Sequence, residues 1–156
     1  MGGLLVLASH GFGPRAAEAA SGPFAGLSGT WSGSGTISMS NGASESIRCR
    51  VRYVVNNNGN DVQQVLRCAS DSYRFDLTSE VVSNGGPISG RWVETTRNAS
   101  GSVAGTAGGD QIQLRVEGGF FTANMTLVTR GDRQSVTILS PGSELRQVSI
   151  TLRKAG

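Results

Sequence analysis

Apolar side chains recur at every second position through most of this chain. Ile47, Cys49, Val51, Tyr53 and Val55 alternate with Arg48, Arg50 and Arg52. The same period of two runs through Tyr73, Phe75 and Leu77, through Ile112, Leu114 and Val116, and through Val148, Ile150 and Leu152. Successive side chains of an extended strand point to opposite faces, so this pattern predicts strands with one buried and one wetted face. Between the runs stand turn formers: Asn41-Gly42, Asn58-Gly59, Asn84-Gly85-Gly86-Pro87, Gly131-Asp132 and Pro141-Gly142. No window keeps a helical period. The expectation is an all-β chain of about 8–10 short strands joined by local turns. Sequential hairpins on this scale favour a single antiparallel up-and-down β-barrel, because closure removes exposed sheet edges. The alternative is a two-sheet β-sandwich.

The series opens at Gly29-Thr30-Trp31-Ser32-Gly33-Ser34-Gly35-Thr36-Ile37. Trp31, Gly33, Gly35, Ile37 and Met39 share one face. A large ring followed by two residues without side chains suits a strand that bends as a barrel closes over it, or that another backbone approaches closely. A second Gly-x-Trp stands at Gly90-Arg91-Trp92.

The Asn58-Gly59 pair sets a register. If these residues occupy the two central positions of a type I′ turn, Val55 faces Val62, Tyr53 faces Gln64 and Val51 faces Leu66. Cys49 then falls opposite Cys68. Turn chemistry and cysteine spacing agree independently, and directly opposed cysteines on neighbouring strands lie within disulfide range. A Cys49–Cys68 disulfide is expected, with a structural role.

The 156 residues are enough for one domain with a sizeable core. The 23 glycines and the 16% of charged residues fit strands and tight turns better than an ordinary α/β enzyme. The net charge of +3 rests on arginine, with Lys154 as the one lysine. Clustered cations with interleaved aromatics are missing, so nucleic acid is not an expected partner. Residues 1–19 read as a signal peptide, a start further upstream being one explanation for its missing basic residues; the alternative is an N-terminal arm that stays attached. Leu4 to Ala8 form a short apolar run, Ala17-Glu18-Ala19 fits a small-x-small cleavage site, and no basic residue precedes the run. Residues 20–28 read as a flexible linker and 29–155 as the barrel. Export to a bacterial periplasm or secretion follows, with no transmembrane span.

Gly29-Thr30-Trp31 resembles the Gly-x-Trp signature of the first strand of lipocalins and other calycin barrels. The longer Gly29-Thr30-Trp31-Ser32-Gly33-Ser34-Gly35 is similar to the Gly-x-Trp-x-Gly-x-Gly run of nitrobindin-type barrels. The resemblance implies a tryptophan packed across the barrel floor and, for lipocalins, a small apolar molecule in the lumen. Nitrobindin-like proteins bind haem through a histidine near the C-terminal end. This chain has none there, so the haem role does not carry over and no cofactor is expected. Small bacterial metalloprotease inhibitors, exported barrels with one disulfide and an inhibitory N-terminal arm, are a second resemblance.

Removal of residues 1–19 takes away His10, the one histidine. Imidazole-dependent nucleophilic catalysis then has no base, and two cysteines bonded to each other cannot build a zinc site. No catalytic residue and no metal ligand is expected. The chain reads as a non-enzymatic binding protein that holds a small, partly apolar ligand in or at the mouth of the barrel. Trp31, Tyr53, Phe75, Trp92 and Met125 would form the pocket wall, with Glu94 supplying polarity. Arg48, Arg50, Arg52 and Arg67 lie on the opposite face, as a docking strip for an anionic surface polymer, lipid headgroups or an acidic partner. The rival reading is an envelope protein-interaction module, such as a small periplasmic protease inhibitor, acting through residues 20–28 or through the arginine strip.

Overall fold

A computed structural model describes residues 21–119 and 121–155. The predicted leader at 1–19 lies outside them. Ten antiparallel strands form one closed barrel: β1 (Gly29–Met39), β2 (Ser44–Asn56), β3 (Asp61–Ala69), β4 (Arg74–Ser83), β5 (Pro87–Glu94), β6 (Ala99–Gly108), β7 (Gln111–Gly118), β8 (Phe121–Arg130), β9 (Arg133–Leu139) and β10 (Leu145–Lys154). Each strand pairs with its neighbours in sequence, and β1 pairs with β10 to close the wall. The sandwich alternative is excluded by that closure.

The polarity follows the alternation. Trp31, Ile37, Ile47, Val51 and Leu152 point inward and are almost fully buried, while Arg48, Arg50 and Arg52 are exposed. An apolar interior and a charged exterior reverse the pattern of a barrel set in lipid, which needs an outward apolar band.

The β2–β3 hairpin has the register read from the turn: Val55 faces Val62, Tyr53 faces Gln64 and Cys49 faces Cys68. Asn58 and Gly59 adopt φ of 53° and 85°, and Asn60 N–H donates to the Asn57 carbonyl at 3.1 Å, as a type I′ turn requires. Cys49 and Cys68 are bonded, with Cα atoms 4.1 Å apart, on the inner face.

Gly33 and Gly35 show why β1 needs glycine. A Cβ at either position would lie 1.8 Å from a β10 carbonyl oxygen, that of Thr151 or Ser149. The two strands meet more closely here than side chains allow.

The stretch expected as a linker does structural work over its described part. Ala25–Leu27 form a short 3-10 turn, and Phe24 and Leu27 insert into the end of the barrel at 2% and 4% exposure. Gly22 N–H donates to Asn58 O and Phe24 N–H to Gly59 O, at 2.8 and 3.0 Å. Trp31 Nε1–H donates to Leu27 O at 2.8 Å. Glycine and proline at 22 and 23 suggested a loose segment. The two apolar residues that follow have a lumen to fill, which sequence spacing alone does not reveal.

Candidate functional site: the lumen above the N-terminal plug

Phe24 and Leu27 close one end of the barrel, which leaves a lumen cavity of about 70 Å³ between them and Trp92. Its wall is mostly apolar, with Leu114, Val116, Met125 and Leu127 contributed by the neighbouring strands β7 and β8. Three polar side chains, Gln64, Ser79 and Tyr53, interrupt it. Ser79 Oγ donates to Gln64 Oε1 at 2.9 Å, across the paired strands β3 and β4. Tyr53 also lines the cavity, and its hydroxyl donates to Gln134 Oε1 at 2.9 Å. Gln134 has no exposed surface, and its Nε2 donates in turn to Thr129 Oγ1 at 3.0 Å. Burial pushes the Tyr53 phenol up to about 12, against the opposing effect of its hydrogen bonds to Gln134 and Gln64. It therefore stays protonated at neutral pH and acts as a hydrogen-bond donor.

Of the six residues expected to form a pocket, Tyr53, Trp92 and Met125 line this cavity. The other three lie elsewhere. Trp31 is sealed beneath the 3-10 turn, with Lys154 Nζ 5.8 Å from its ring centroid. Phe75 sits at the opposite rim, stacked on Tyr73 and capped by the Arg97 guanidinium at 4.7 Å. Glu94 is buried at the same rim, where its carboxylate is fully engaged. It accepts from Asp76 N–H at 3.3 Å, Thr96 N–H at 3.0 Å, the Thr96 hydroxyl, and Arg97 Nη1 at 3.0 Å. Burial alone would raise its pKa, but the hydrogen bonds from Thr96, Asp76 and Arg97 outweigh that and hold it below the ordinary value. Glu94 therefore locks the β5–β6 turn onto β4 and has no free oxygen turned to a ligand.

The sequence reading gives Gln64, Ser79, Leu114 and Gln134 no place in the pocket. Gln64 and Ser79 do occupy apolar-parity positions, flanked by Val62 and Leu66 and by Leu77 and Val81. A polar residue on a buried face is the signal that could have found them. Gln134 is the second residue of the short strand β9, where parity has little run to establish it.

A second concavity is larger, about 1170 Å³, and lies on the outer wall of β3–β7. Gln63, Thr78, Glu80, Arg91, Val93 and Ser102 line it, and all are exposed. A small apolar molecule would remain largely wetted there, whereas the lumen could desolvate it, so the smaller cavity is the stronger candidate.

The Cys49–Cys68 disulfide is compatible with export. Among the described residues no helix is long and apolar enough to cross a membrane.

No protein-family model and no curated protein matches the chain. Among solved structures it is similar to Rv2717c from M. tuberculosis, with a TM-score of 0.69 at 14% identity, over 85% of this chain and 94% of that one. At that identity the likeness concerns the fold. The architecture fits a calycin-like barrel.

Proposed function

We propose that this calycin-like barrel is an exported binding protein for a small, largely apolar molecule held in the lumen above the Phe24–Leu27 plug. One observation carries the reading: a cavity of about 70 Å³ with an apolar wall interrupted by the Gln64–Ser79 pair and Tyr53. Apolar walls supply affinity and a few fixed polar groups supply orientation. The size limits the ligand. Drug-sized pockets run to about 300–1,000 Å³, so this one suits a compact molecule of few heavy atoms unless Met125 and Leu114 swing aside. Among the described residues that line the lumen there is no carboxylate and no imidazole, and the reading is binding without turnover. Burial of Phe24 and Leu27 in the barrel end counts against the rival inhibitor reading as far as it rests on those residues.

The test is native mass spectrometry of the protein isolated from its own source, followed by NMR titration with small hydrocarbons and aryl alcohols. A retained small-molecule mass, or shifts centred on Leu114, Val116 and Met125, is the expected result. Leu114→Trp, which fills the lumen, should abolish it. An empty natural protein together with no titratable shift in those residues would sink the proposal.

A further inference from the structure

The outer wall divides by charge in a way that single strands do not show. Across four adjacent strands, β9, β10, β1 and β2, no outward-facing position carries a carboxylate. The outward residues there are mostly serine, threonine and arginine. The far wall, in contrast, balances its arginines with Asp76, Glu80 and Glu117. Register brings the cations into line. Arg133 faces Arg153, Arg153 faces Ser32, Ser32 faces Arg50, and Arg50 faces Arg67. Arg48 and Arg52 extend the row along β2, two residues to either side of Arg50. All these arginines are exposed. Among the described residues, Arg67 has a carboxylate within salt-bridge distance, Asp76 at 3.9 Å, and Arg48, Arg50, Arg52, Arg133 and Arg153 have none. The nearest acid in sequence, Asp132 in the β8–β9 turn, pairs with none of them.

We propose that this face binds a flexible phosphate-bearing polymer without bases. Five guanidinium groups held on a rigid wall without counter-charges repel one another, and a polyanion removes that repulsion. The planar guanidinium fork matches phosphate oxygens two at a time. Geometry selects a chain over a bilayer. The row from Arg133 to Arg67 takes four of the ten inter-strand steps around the closed wall. At about 4.8 Å per step it runs roughly 19 Å around a curved surface. A flat membrane touches such a wall along two or three strands, and this face offers no aromatic side chain to insert. A flexible chain can follow the curve. The same lack of aromatics leaves no platform on which nucleic-acid bases could stack. This surface is separate from the lumen and does not depend on the ligand proposed there.

The test is fluorescence anisotropy of labelled long-chain inorganic polyphosphate against the full chain, over a salt series. Arg50→Gln with Arg153→Gln should weaken binding roughly ten-fold at low salt and flatten the salt slope by about 1.4, two contacts' worth for a single strand. The charge-matched control Arg91→Gln with Arg115→Gln, on the far wall, should leave both nearly unchanged. Thermal melts verify that both variants fold. Equal losses in the two variants would reduce the effect to net charge and overturn the proposal. So would tighter binding to phosphatidylglycerol vesicles or to oligo-dT than to polyphosphate, or the absence of saturable binding.

Discussion

Glu94 is the residue whose surroundings have the clearest measurable consequence. Its carboxylate is held below its ordinary pKa, so the folded state binds that proton less tightly than the unfolded chain does. The stabilisation is complete above the unfolded value of 4.5 and is lost as pH falls through the lower folded value. Thermal melts between neutral pH and pH of about 3 should show an acid limb that is shallower in Glu94→Gln. At neutral pH the same variant should lose about 1–3 kcal/mol, because Arg97 and Thr96 lose a charged acceptor at a buried point. An unchanged acid limb would remove Glu94 from the account. Gly33 makes a different demand. Its Cβ would meet the Thr151 carbonyl, which is backbone and cannot turn away. Gly33→Ala should cost about 1–3 kcal/mol in a chemical denaturation curve, although alanine ordinarily favours order over glycine.

At the scale of elements, the N-terminal plug and the β2–β3 hairpin are one unit. Backbone bonds from Gly22 and Phe24 tie the plug to the hairpin turn, and Gly22 admits no side chain there because its Cβ would lie 2.3 Å from Gly59 O. Phe24→Ala should therefore cost about 3–5 kcal/mol, the range for emptying a buried aromatic site, and should enlarge the lumen. A melt unchanged from the parent would mean that the plug is dispensable. The bridge between β2 and β3 acts mainly through the unfolded chain. Joining residues 19 apart removes loop-closure entropy worth about 3 kcal/mol. Reduction should lower the unfolding free energy by that much, read as a lower denaturation midpoint, without changing the barrel's far-UV spectrum.

For the molecule as a whole, closure settles the inside and the outside together. Once β1 pairs with β10 no strand edge remains, and every interior side chain competes for one lumen. The plug and Trp31 fill one end, the Trp92, Val103 and Val116 cluster lines the wall toward the other, and the cavity is what remains between them. The same closure curves the arginine-bearing strands around a continuous wall, so that cations from distant parts of the chain come into one row.

The sequence by itself determined the strands, their inward and outward faces, the type I′ turn and the opposition of Cys49 and Cys68. Each of these depends on neighbours within one hairpin or on a period of two along one strand. It also marked Tyr53, Trp92 and Met125 as interior. Tertiary structure alone decided that Phe24 and Leu27 plug the lumen and that Trp31 lies beneath them. It likewise decided that Glu94 locks a turn instead of facing a ligand, and that Arg133 and Arg153 join the row begun by Arg50. These outcomes depend on which ends and faces meet when the barrel closes, and contacts such as Phe24 with Gly59 or Arg153 beside Ser32 leave no periodic pattern along the chain.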